Sequence, residues 1–127
     1  MVRTKVFRHI FKLHGFMESA KTALKGILYL FLYHRNMRLI FMLGITAFLA
    51  GLKFELKDIE LVALCITITL VFMAEIFNTA IEMLMDIMTP KYRLRIKLVK
   101  DIAAAIVVLA SLNALWVGYI LFIRKLF

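Results

Sequence analysis

The sequence predicts an all-α membrane protein, with three transmembrane helices plus an N-terminal amphipathic surface helix, and three observations carry that reading. Of its 127 residues, 64% are hydrophobic and the mean hydropathy is strongly positive, far outside the range of a soluble domain. Uncharged stretches recur, 14 residues long at 39–52, 14 at 61–74 and 22 at 102–123. One Pro and five Gly leave little chain for loops, so helices dominate. The whole chain, 1–127, reads as a single membrane domain.

Val6, Ile10, Leu13 and Met17 recur at helical spacing, while Lys5, Arg8 and Lys12 gather on another face. That pattern predicts a basic amphipathic helix on the membrane surface within residues 1–33. The three spans are expected at about 36–53, 60–88 and 101–123. About 20 apolar residues cross a ~30 Å hydrocarbon core, a length that the first two runs reach only by taking in polar flanks. The lone Cys65 lies in an apolar run and reads as a packing residue. The basic start shows no cleavable leader, because no apolar stretch with a small-residue cleavage site comes after it.

Charge gives the orientation. Eight of the bases precede Met42 and five lie at 91–100, whereas the 53–60 loop holds two bases against three acids. Bases that flank apolar segments match the positive-inside pattern, which places the N-terminus and the 91–100 loop in the cytoplasm and the C-terminus outside. The net charge of +9 is therefore not a nucleic-acid footprint. Acidic lipid headgroups are its partner.

The second span carries the informative residues. Glu75, Asn78, Glu82 and Asp86 are spaced three, four and four apart, an arc of about 80° on a helix. A carboxylate at membrane depth costs ~3 kcal/mol on insertion scales. No base occurs between Lys57 and Lys91, so a partner for Glu75 must come from another helix, another subunit or a cation. At 1.5 Å per residue Glu75 lies ~21 Å below Leu61, Glu82 ~31 Å and Asp86 ~37 Å, while His34 lies ~27 Å below Leu52. Such a stripe can hold a metal ion, carry a proton or do chemistry. Other polar groups keep two readings. Lys100 and Asp101 open the third span as an interfacial anchor or as ligands. Lys91, Tyr92 and Arg93 satisfy the topology rule, or they hold phosphates and stack a base. His34, with Arg35 and Asn36, marks the membrane interface or supplies a metal ligand. A Gly-rich phosphate loop of the usual kind is absent from the sequence.

Together these residues resemble the small bacterial lipid kinases, the diacylglycerol kinase and undecaprenol kinase family. The resemblance runs from about residue 16 to 123. It is carried by Glu75, the Asn78-Thr79-Ala80-Ile81-Glu82 run, Asp86, Pro90, Tyr92 and the Lys100-Asp101-Ile102-Ala103-Ala104 run. Upstream, Ala23-Leu24-Lys25-Gly26-Ile27 and Arg35-Asn36 match similar segments. The stretches at Pro90–Tyr92 and Lys100–Ala104 look more like the undecaprenol branch. The resemblance implies a homotrimer in the bacterial cytoplasmic membrane, with composite sites between subunits. It implies transfer of the ATP γ-phosphate to a lipid alcohol, with Glu75 as general base and Glu82 on the catalytic Mg²⁺. By the same resemblance Asn78 lines the site, while Tyr92, Lys100 and Asp101 face the nucleotide; the residues themselves add Asp86 to the lining and Lys91 and Arg93, as bases beside Tyr92, to the nucleotide side.

The sequence departs from the family at three places. His34 stands where the family has a metal-binding Glu, Ile40 stands where it has His or Glu, and Lys91 and Arg93 flank Tyr92 in place of an acid and His. Imidazole is a poor Mg²⁺ ligand, so Mn²⁺ or another divalent metal, or a catalytically impaired member, stays open as an alternative. A proton-coupled small transporter using Glu75 is the remaining reading. Three spans and a stripe on the second count against it.

Overall fold

A computed structural model describes residues 2–88 and 93–126, with side chains from residue 15 onward. Every regular element in it is helical. Helix α1 (Val2–Tyr33) is separated by one residue from α2 (Arg35–Lys53), and then come α3 (Asp58–Ile87) and α4 (Arg93–Gly118). A widened π-helical turn (Tyr119–Ile123) continues α4, and a last helical turn ends at Leu126. Three of these helices, Arg35–Lys53, Asp58–Ile87 and Arg93–Leu126, are long and apolar enough to cross a membrane. The chain forms two compact units, residues 1–35 and 36–127.

In the first unit α1 is one unbroken helix of 32 residues, covering the whole region expected to lie on the membrane surface. Of the expected stripe only Met17 has a described side chain, and it is exposed. Exposed Phe16, Leu24, Ile27 and Leu28 extend the apolar character of the helix beyond that stripe.

In the second unit α3 and α4 pack along each other. Gly44 and Gly51 let α2 approach α3. A Cβ at Gly44 would lie 2.9 Å from Ile68 Cγ2, and one at Gly51 3.0 Å from Leu64. Phe41 meets Phe72 edge to face at 5.9 Å between ring centroids. Near the 54–57 turn the core gathers Leu56, Leu64 and Leu121, with Leu61, Val117 and Phe122 packed around them. Lys57 N–H donates to Glu60 Oε1 at 3.3 Å, and Lys125 Nζ reaches the same oxygen at 3.0 Å. Asp58 and Glu60 thus sit in the first turn of α3, where the helix dipole favours acids. Thr46, Thr67 and Thr69 donate their hydroxyls to Met42, Ala63 and Cys65 carbonyls of their own helices. This is how a hydroxyl is satisfied where there is no water.

One boundary is corrected. Residues 93–100, expected as part of a basic loop before a span starting at 101, are the first turns of α4. Charge density made them read as loop, yet Arg, Lys and Leu are good helix formers, and long basic side chains reach water from a helix end. Helices α2 and α3 begin and end within two residues of the other two expected segments.

Candidate functional site

The stripe lies on one continuous helix, since α3 runs for 30 residues without a break from Asp58 to Ile87. At 1.5 Å per residue it is ~45 Å long, well over the hydrocarbon thickness. Exposure rises toward its C-terminal end. Glu75 and Asn78 are half-buried, while Glu82 and Asp86 are exposed. Next to Glu75 and Asn78, Ala74 and Thr79 are buried, which holds this part of α3 within the helix packing.

Three features give the stripe its chemistry. Asn78 Nδ2 donates to Glu82 Oε1 at 3.4 Å, joining the two residues across one turn. Asn78 Oδ1 is buried and has no hydrogen-bond partner among the described residues. One turn further on, Lys100 Nζ of α4 meets Asp86 Oδ1 at 2.8 Å. This cross-helix pair places a cation at the C-terminal end of the stripe. Both side chains are substantially exposed, 38% and 68%, so the pair positions more than it stabilises.

Above the stripe, Glu75 lines a groove of about 500 Å³ between α2, α3 and α4. The rest of the lining is apolar apart from Thr67 and Ser111, and Glu75 is its one charged residue among those described. The sequence did not reveal this groove. Its walls are ordinary apolar positions of three helices, and only their packing brings them together.

The other expected residues fall on α4 and on the joint before α2. Arg93, Lys97 and Lys100 recur at spacings of four and three, so they share one face of α4, with Arg95 on another. Asp101 is exposed on the next position. His34 lies in the first unit, at the single non-helical residue between α1 and α2. Its N–H donates to Leu30 O at 2.9 Å, and its ring stands 6.1 Å from that of Tyr29. Lys91 and Tyr92 lie outside the described residues.

The oxygens of Glu82 and Asn78 are the donors that could hold a metal. Mg²⁺ takes oxygen ligands and needs only one or two carboxylates beside substrate phosphates, so this pair fits it. Among the described residues no three His, Cys, Asp or Glu side chains gather into a cluster, so the edge is open and not a closed cage.

Comparison with known proteins identifies the family. The profile of the prokaryotic diacylglycerol kinase family matches residues 21–122. The chain is 33% identical over 103 residues to a diacylglycerol kinase of Synechocystis sp., covering 80% of this chain and 59% of that protein's length. It is 30% identical over 118 residues to an undecaprenol kinase of Bacillus subtilis, covering 93% of this chain and 96% of the relative. No solved structure matches. The matched region takes in all of the stripe, the groove and the Lys100–Asp86 pair, and the chain belongs to the prokaryotic diacylglycerol kinase family.

Proposed function

We propose that this protein is a membrane lipid kinase, transferring the γ-phosphate of ATP to the hydroxyl of a lipid alcohol, undecaprenol or diacylglycerol, at the cytoplasmic face. The observation that carries the reading is the place of Glu75. It is the charged end of an apolar groove, and below it a polar track leads to the Asp86–Lys100 pair. A lipid hydroxyl rests at that depth, and a nucleotide arrives from the water beyond it.

In this reading Glu75 accepts the proton of the lipid hydroxyl as its oxygen bonds to the γ-phosphorus. The bond to the bridging oxygen breaks, and ADP leaves with the electron pair. Lys100 holds phosphate oxygens, assisted by the bases that share its face, Arg93 and Lys97. Glu82 and Asn78 would hold a divalent cation, whose contribution is to neutralise phosphate charge. Asp101, Lys91 and Tyr92 face the nucleotide. Glu82 and Asp86 are exposed in a single chain, which supports a site completed by neighbouring subunits in a homotrimer.

Phosphate transfer in nanodiscs, from labelled Mg-ATP to a panel of lipid alcohols, tests the proposal. Glu75→Gln is expected to lower kcat by about 10²–10⁴, the usual contribution of a general base. Equal labelling by the variant and the parent would remove Glu75 from that role.

A further inference from the structure

Four bases stand among residues 93–100. Arg93, Lys97 and Lys100 share one face of α4, while Arg95 lies about 140–160° round the helix from each of them. Arg95 therefore serves a different surface. Among the described residues no carboxylate pairs with it. Of the acids on these two helix ends, Asp86 is taken by Lys100 and Glu82 accepts from Asn78. Asp101 lies about 120° away from Arg95 on the same helix.

Arg95 instead lines a cavity of about 430 Å³ between the end of α3 and the start of α4. Its other walls are Met85 and Met88 on one side, Ile96 and Val99 on the other. Residues three and four apart fall on one helix face, which brings Met85 to Met88 and Arg95 to Val99. Met88 and Val99 are exposed, so the cavity is a notch open to the surroundings. It shares no lining residue with the Glu75 groove. Its volume falls in the range of about 300–1,000 Å³ typical of small-molecule sites.

One cation set among apolar walls fits a ligand with an anionic head and an apolar body. A free phosphate would leave the methionines and Val99 uncovered, and a bare hydrocarbon would leave the guanidinium unpaired. We infer that this notch binds an acidic membrane phospholipid, its phosphate on Arg95 and the start of its chains on Met85, Met88 and Val99. A guanidinium meets phosphate oxygens through two parallel hydrogen bonds. Methionines, unbranched and adaptable, accommodate irregular chains beside it. Four bases within eight residues keep this helix end out of hydrocarbon, at the level where lipid phosphates lie. The same bases repel a headgroup that brings its own cation and attract one of net negative charge. Met85 precedes Asp86 and Val99 precedes Lys100, so the bound lipid braces the joint that the ion pair spans. The inference stands apart from the kinase reading, because its ligand is not the phosphate acceptor.

The test uses the full chain in phosphatidylcholine nanodiscs carrying a small share of photoreactive phosphatidylglycerol, with a diazirine near its glycerol. Cross-links are mapped by mass spectrometry and should fall on Met85, Met88, Ile96 and Val99. A phosphatidylcholine probe with the same diazirine should label them at least fivefold less. Arg95→Gln should lower the phosphatidylglycerol label about fivefold, the weight of one base against acidic lipid. Val99→Trp, which fills the notch, should abolish it, and Lys53→Gln at the far end of α2 should leave it unchanged. Equal label from the two probes, or label indifferent to Arg95→Gln, overturns the inference. A fall as large in Lys53→Gln shows diffuse charge and no site, and overturns it too. Displacement of the label by inorganic phosphate or by Mg-ATP shows a soluble ligand on Arg95 and has the same force. Oligomeric mass is measured alongside. A Val99→Trp chain that loses its oligomer shows the notch to be filled by a second copy, which also overturns the inference.

Discussion

His34 departs from the pattern that the family resemblance implies, in a way that single-residue chemistry can interrogate. It occupies the one non-helical position between α1 and α2, and its imidazole stands where the family's resemblance implies a carboxylate. Nitrogen ligands suit Mg²⁺ poorly, while an oxygen ligand suits it well. His34→Glu should therefore lower the Mg²⁺ concentration needed for half-maximal transfer, on the order of tenfold, and narrow any preference for Mn²⁺. An unchanged metal titration would separate His34 from the metal. Glu75, Asn78, Glu82 and Asp86 were legible in the sequence because charge inside an apolar run is conspicuous. The pairing of Lys100 with Asp86 was not, since 14 residues separate the two and only helix packing joins them.

Among the elements, the approach of α2 to α3 depends on the absence of a side chain. A Cβ at Gly51 would lie 3.0, 3.1 and 3.3 Å from methyl carbons of Leu64, Leu56 and Leu61, three neighbours that cannot all yield in a packed cluster. Gly51→Ala should thus destabilise the protein by ~1–3 kcal/mol, seen as a lower melting temperature in detergent. A variant as stable as the parent would show that α2 can slide away at no cost. The positions of α2 and α3 were legible from the apolar runs extended by their polar flanks. The start of α4 was not, because the same Arg and Lys residues that mark a cytoplasmic flank are also good helix formers. The Glu60–Lys125 pair was invisible for a related reason: both charges read as ordinary loop and tail residues until α3 and the end of α4 were side by side.

The whole molecule presents large apolar side chains on every helix long enough to span, Phe48, Leu70, Leu109 and Trp116 among them, as a protein solvated by lipid does. Its polar track is open at Glu82 and Asp86, so composite sites make a direct prediction. Glu75→Gln and Lys100→Ala subunits, each inactive alone, should regain part of the parental activity when co-assembled, provided the base and the phosphate-holding cation come from different chains. A mixture as inactive as its components would place the whole reaction within one chain. Nothing in a run of residues specifies how copies meet, and for that reason the fold was more legible than the completed site.

The widened turn near the end of α4 has a consequence for how this chain tolerates change. Arg124 N–H bonds back to Tyr119 O, one residue further than an α-helix allows. A turn of that kind absorbs one surplus residue without rotating the helix beyond it, so Lys125 keeps its aim at Glu60. Removing Ile120 should therefore tighten the turn into regular helix and leave the ion pair standing, whereas removing Ala110 should swing every later residue by about 100°. Melting curves of the two deletions tell the cases apart, and equal losses would deny the turn this role. The C-terminal end of the helix thus carries slack, a spare notch by which length can drift in evolution while alignment is kept.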